Sequence, residues 1–266
     1  MKLRFPLLLM LLLGLSVYAV QHNSKADNEA RYELPKSSSR TQIVKHTGYT
    51  LSYSEDDEQA FWVAYVLTKE HVEQRSAKRT NKFIDDPAVR TGSATNADYA
   101  RSGYDRGHLA PAADMGWSET TMKESFFFSN MSPQEPSFNR GIWKDLEEQV
   151  RAWAIDNERI YIATGPVLSG NLERIGPSGV SVPRYYYKVI LDYTQPELKA
   201  IGFIMPNQKS TRSVKDFAVP VDSVERFTGI DFFYTLPDDL EKHLESQVDL
   251  NLWSWKQKKV RKQPKS

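Results

Sequence analysis

Apolar residues recur along this chain with two different periods. Short runs rich in aromatic and β-branched residues, each bounded by turn formers, cover residues 49–53, 60–67, 159–164, 185–193 and 199–205 and predict β-strands. Helical spacing covers residues 118–124, 140–157 and 237–247, with a shorter stretch at 221–228. Strands and helices are intermixed without a regular strand–helix–strand alternation. The pattern therefore predicts an α+β domain, a central and mostly antiparallel sheet flanked by helices, rather than a doubly wound sheet.

The two ends read differently from the middle. Lys2 and Arg4 precede an apolar run over residues 7–20, broken only by Gly14, Ser16 and Tyr18. This predicts a signal peptide over residues 1–19, cleaved after Ala19, and an exported protein that is periplasmic or extracellular; an uncleaved amino-terminal anchor is the alternative. Residues 20–40 are polar and aperiodic, with three consecutive serines, and read as a linker to a domain spanning 41–250. Residues 251–266 form a basic tail, in which six Lys or Arg and no acid follow Trp255. A solvated tail is the simple reading, although its charge would speed encounter with a polyanion.

The chain has no cysteine, which excludes disulfides, thiolate metal sites and a lipid-modified cysteine. Net charge is +1, and removing Lys2 and Arg4 with the leader takes away two positive charges to leave −1. Binding of nucleic acid must then rest on a local patch.

The chemistry concentrates in Asp105-Arg106-Gly107-His108. An imidazole that titrates near neutrality, a carboxylate able to hold it, and a cation that binds anions bidentately suit proton abstraction beside an anionic substrate. Downstream come Ser129-Asn130-Met131-Ser132-Pro133-Gln134, then Asn139-Arg140-Gly141-Ile142-Trp143-Lys144-Asp145-Leu146-Glu147, and Arg151. A helix starting near Arg140 would place Asn139 at its amino-terminal cap and carry Asn139, Trp143, Glu147 and Arg151 along one ridge. Asn139 and Glu147 would then stand about 12 Å apart along the axis, too far to ligate one ion together. An amide oxygen as the single protein ligand, with a carboxylate acting through water, matches magnesium; zinc would call for further His or Cys ligands. His108 is left free as a base.

These ordered motifs, Asp-Arg-Gly-His, Ser-Asn-x-x-Pro-Gln and Asn-x-Gly-x-Trp-x-x-Leu-Glu, resemble the DNA/RNA non-specific endonuclease family, which includes Serratia-type nuclease and endonuclease G and has a ββα-metal (His-Me finger) site. The resemblance extends over most of residues 45–235. It implies His108 as the general base, Asn139 as the direct ligand of a single Mg²⁺ (with Mn²⁺ as a substitute), and Glu147 acting through metal-bound water. It further implies that Asp105 organises the site, Asn130 orients groups around the scissile phosphate, Arg79 neutralises phosphate charge, and Arg106 and Arg151 support the anionic environment. Substrates would be DNA and RNA, cleaved to 5′-phosphate and 3′-hydroxyl ends; an inhibitor partner is left unspecified.

Simpler readings stand beside these. His22, His46, His71 and His243 have no matching motif and read as structural. Asn139 alone reads as a helix cap, Glu147 with Arg151 as an i,i+4 surface pair, Trp143 as core, and Tyr185-Tyr186-Tyr187 as strand filling rather than a stacking platform. Two rival functions are a nucleic-acid-binding protein without catalysis and a phosphodiesterase of narrower nucleotide specificity.

Overall fold

A computed structural model describes residues 31–36 and 41–256 of the chain. The leader over residues 1–19 and the tail beyond Lys256 lie outside the described residues. The folded unit begins at Glu33, earlier than the hydrophobic pattern alone places it. Lys36 anchors this start, its backbone N–H donating to the Asp231 carbonyl and its ammonium to the Asp231 carboxylate.

Seven strands form one antiparallel sheet: β1 (Gln42–Lys45), β2 (Thr50–Ser54), β3 (Gln59–Thr68), β6 (Arg159–Pro166), β9 (Tyr185–Asp192), β10 (Lys199–Pro206) and β11 (Ala218–Val219). They lie side by side in that order. A separate antiparallel pair, β4 (Asp105–His108) and β5 (Met131–Gln134), carries the Asp-Arg-Gly-His motif, and β7 (Arg174–Ile175) pairs with β8 (Val180–Ser181).

The predicted long strands are present because β-branched and aromatic side chains pack well on a pleated surface. β6 and β9 are buried along nearly their whole length, so they read as continuous apolar runs rather than alternating ones. Tyr186 and Tyr187 fill the core as expected, whereas Tyr185 is exposed and stands edge-on to Phe227.

The long helix, Lys144–Asp156, packs Leu146, Val150, Trp153 and Ala154 into the same core as the sheet. Its outer side is clamped from far along the chain. The Ser254 carbonyl accepts from Gln149 Nε2 (2.9 Å) and Trp153 Nε1 (2.5 Å), the Lys256 N–H donates to Gln149 Oε1 (2.8 Å), and Trp253 and Trp255 lie against Trp153. The first residues of the basic tail are thus part of the packed unit.

The start of the long helix departs from the sequence expectation. A single turn at Pro136–Phe138 leads into a π-type turn, Asn139–Trp143, before the α-helix proper begins at Lys144. Gly141 sits there at φ −111°, ψ −114°, outside the helical region. Asn139 does not cap the helix, and the continuous ridge from Asn139 to Arg151 does not form.

Candidate active site

β4 and β5 are registered so that Asp105 faces Gln134, Gly107 faces Ser132 and His108 faces Met131. Ser132 ties the pair to the main sheet, bonding to Gln59 of β3 (2.5 Å) and Tyr186 of β9 (2.6 Å). Gly107 is required for contact rather than for flexibility: a Cβ there would stand 2.1 Å from Gln134 Cδ. Gly107→Ala is expected to cost roughly 1–3 kcal/mol through overpacking and to lower nuclease activity by displacing His108. Thermal unfolding checks the first part, and adding Gln134→Ala should recover part of the lost stability because the clash is with that side chain.

Asp105 is held by three bonds. Arg140 donates from Nε (2.8 Å) and Nη2 (2.5 Å), and Asn139 donates from Nδ2 (2.9 Å). Burial pushes the Asp105 carboxyl up, but these donors outweigh it and hold it below its usual value. The bond also fixes the Asn139 amide: its nitrogen is turned to Asp105, and its Oδ1 has no hydrogen-bond partner among the described residues. That oxygen does not cap the long helix, whose first turn begins beyond Asn139. Arg140, which the sequence offered no reason to single out, is the clamp.

Arg106 and His108, two apart on β4, share a face, and both meet Phe83. The Arg106 guanidinium lies 4.5 Å from that ring's centroid, and the His108 ring lies 5.9 Å from it. Arg106 also donates to Asn96 Oδ1 (2.7 Å). The His108 ring stands edge-on to Phe126 at 4.8 Å, and its Nε2 is buried with no hydrogen-bond partner among the described residues. Arg79 lies 5.1 Å over the same Phe126 ring. Burial, and second the charge of Arg79, lower the His108 pKa to about 3, so the imidazole is neutral at physiological pH. Arg79 is therefore brought to the histidine from 29 positions upstream.

Asn130 does not face outward toward a substrate. Its Oδ1 accepts from the Ala110 N–H (2.8 Å), and its Nδ2 donates to the carbonyls of Ala110 and Ser125 (2.9 Å each). The amide is fully engaged with backbone, so Asn130 fixes the chain just after His108 instead of orienting phosphate groups.

Glu147 and Arg151 are not a surface pair. Arg151 donates to buried Asp114 (2.8 Å), whose other oxygen accepts from Tyr65 (2.8 Å). Glu147 makes no hydrogen bond among the described residues; burial lifts its carboxyl, against the pull of Lys188, Arg151 and Arg79. Lys188 is fully buried on β9, its ammonium 5.0 Å from the Trp143 centroid and without a hydrogen-bond partner. Sequence reasoning missed Lys188 and Asp114. The available signal was a lysine inside the otherwise apolar run Tyr185–Asp192.

The remaining described histidines are structural. His46 bonds to buried Asp86 (2.9 Å), His71 stacks on Trp117, and His243 lies near Gln247 on the surface.

Residues 27–239 match the profile of the DNA/RNA non-specific endonucleases. The chain belongs to that family. As a family member it is a nuclease, a hydrolase of phosphodiester bonds. It is 33% identical over 217 residues to human mitochondrial endonuclease G, covering 76% of this chain and 72% of the relative. It is 35% identical over 227 residues to mitochondrial nuclease 1 of Schizosaccharomyces pombe, covering 78% and 70%. A solved structure of endonuclease G with its inhibitor EndoGI superposes with TM-score 0.70 at 34% identity, covering 74% of this chain and 87% of that one.

These relatives overturn the periplasmic or extracellular destination, since they are named as mitochondrial enzymes. The reason is physical. A basic start and an apolar run report affinity for a targeting apparatus or membrane, but they do not encode which membrane.

Proposed function

We propose that this nuclease cleaves both DNA and RNA with little sequence preference, using His108 as general base and one Mg²⁺ held directly by Asn139, and leaving 5′-phosphate and 3′-hydroxyl ends. The observation that carries this reading is His108, a neutral imidazole whose Nε2 has no protein partner and which shares the Phe126 ring with Arg79. A base needs a free lone pair beside the reacting centre, and an attacked phosphodiester needs a cation beside it.

The residues present fit a hard divalent ion. Asn139 offers an oriented and otherwise unused oxygen, Glu147 offers a carboxylate with no protein donor, and the donor set contains neither thiolate nor a second imidazole. When bound, the ion would supply Lewis-acid stabilisation of the charge that develops on the phosphate and on the leaving 3′ oxygen. Mn²⁺ would substitute in the same oxygen site.

His108 takes a proton from water as the oxygen–phosphorus bond forms, and the bond to the 3′ oxygen breaks with that oxygen taking up a proton from solvent. Arg79 neutralises the phosphate as its charge grows, and Arg106 adds positive potential on the same face. Asp105 and Arg140 hold Asn139, Asn130 holds the backbone after His108, and the Asp114–Arg151 pair supports the wall beside Glu147. These contacts fall on backbone phosphates rather than base edges, which accounts for cleavage without sequence preference.

The test is incubation of purified protein with supercoiled plasmid and, separately, with ribosomal RNA, in Mg²⁺ or EDTA. Degradation of both polymers in Mg²⁺ alone is expected. Cleavage undiminished by EDTA, or restricted to one polymer, would overturn the metal or the breadth of substrate respectively.

A further inference from the structure

Away from the nuclease centre, three carboxylates converge where two helices meet. Asp222 and Glu225 are one turn apart on the helix Val221–Thr228, and Glu245 is the last residue of the helix Asp238–Glu245. One oxygen from each lies within 4.8 Å of the others. Gly229, in the left-handed conformation at φ 73°, ends the first helix and turns the chain so that Glu225 Oε1 accepts from the Phe232 N–H (2.8 Å).

Glu245 is the unusual member. Only 4% of the residue is exposed, and its Oε1 is buried without a hydrogen-bond partner. It also stands at the carboxyl end of its helix, where the helix dipole disfavours negative charge and favours a cation. Burial, followed by repulsion from Glu225, Glu241, Asp222 and Asp231, raises its pKa to about 9, with no cation offsetting them. Of the nearby bases, Lys36 is directed to Asp231, while Arg226 donates to Ser223 and reaches Asp222 Oδ2 only at 4.0 Å.

We propose that Asp222, Glu225 and Glu245 bind a divalent cation, Ca²⁺ in preference to Mg²⁺, at a structural site that pins the helix Val221–Thr228 to the helix Asp238–Glu245. The donors are all carboxylate oxygens, which favours a hard ion over zinc, whose sites are built mainly from His and Cys. A partly open cluster without octahedral preorganisation suits the larger, more variably coordinated ion, with water completing its shell. The site is separate from Asn139 and carries no part of the cleavage reaction.

The experiment uses the full chain carrying Asn139→Ala, so that the nuclease metal does not contribute. Thermal unfolding is followed in EDTA and in rising Ca²⁺, then Mg²⁺, at neutral pH. Ca²⁺ should raise Tm by several degrees, growing with the logarithm of its concentration once the site fills, and Mg²⁺ should do so less. Adding Glu245→Gln should cancel the Ca²⁺ response while raising Tm in EDTA, because folding at neutral pH no longer has to load a proton onto this carboxylate. Should that variant fail to fold, Asp222→Asn must blunt the response instead. A Tm indifferent to Ca²⁺ but raised by mild acid would mean that the carboxylates share a proton, and would overturn the site. So would a Ca²⁺ response that survives Glu245→Gln. In an otherwise wild-type chain, Glu245→Gln should leave plasmid cleavage in Mg²⁺ intact, so this inference and the nuclease mechanism stand or fall separately.

Discussion

Replacing His108 by Ala should reduce plasmid and RNA cleavage by roughly the 10²- to 10⁴-fold that a general base contributes, while the protein stays folded. The ring makes aromatic contacts with Phe83 and Phe126, but its Nε2 bonds to nothing, so truncation strands no buried partner. Retained circular dichroism and retained nucleic-acid binding, with turnover lost, are the expected pair of results. Near-normal cleavage by the pure variant would exclude His108 as the base.

The same substitution has a signature in stability. The folded-state pKa of His108 lies near 3, below the ordinary 6.5, so the unfolded chain binds a proton there that the folded chain refuses. Stability from this group is fully present above about pH 6.5 and is lost as pH falls from there toward 3. His108→Ala should flatten that part of the acid limb in denaturant titrations, an effect that a purely catalytic defect would not produce.

Asn139→Ala is the second large effect. Removing this amide oxygen should shift the Mg²⁺ dependence of cleavage to higher concentration by at least the 10- to 100-fold known for loss of a metal-supporting contact, and lower the maximal rate as well. Asp105 keeps both bonds from Arg140, so the fold should tolerate the change. Asn139→Asp is the sharper case. An aspartate is the stronger ligand for a hard cation, yet it would replace the Nδ2 donor by an oxygen facing Asp105 Oδ2 at the present 2.9 Å. It should therefore remain defective, and initial rates across a Mg²⁺ series for the three proteins decide the point. Full activity in Asn139→Asp would mean that the bond to Asp105 is dispensable.

The main strands and the long helix could be read from the chain because their signals are local. Runs such as Tyr185–Asp192 and the apolar spacing through Leu146, Val150 and Trp153 are set by neighbours a few residues apart. The Asp105–His108 cluster was visible as a local motif, but the expected support of the imidazole by Asp105 is not what forms: that carboxylate is taken by Arg140 and Asn139. What failed was continuity. Gly141 leaves the helical region and breaks the ridge expected from Asn139 to Arg151, a tertiary outcome that helical spacing does not anticipate. Asn130 was misread because its partner Ala110 lies 20 positions away in the chain. Arg140 and Asp114 escaped notice for the same reason, since what singles each out is a neighbour distant in the chain.

The clamp on the long helix has a consequence for the order in which the molecule is completed. During synthesis, His108, Asn139, Glu147 and Lys188 all exist before Trp253, Ser254 and Lys256 have been made. Gln149 and the Trp153 indole N–H lack their partners until those residues arrive. A growing chain therefore holds the residues of the candidate site before it holds the partners that lock the helix carrying Glu147.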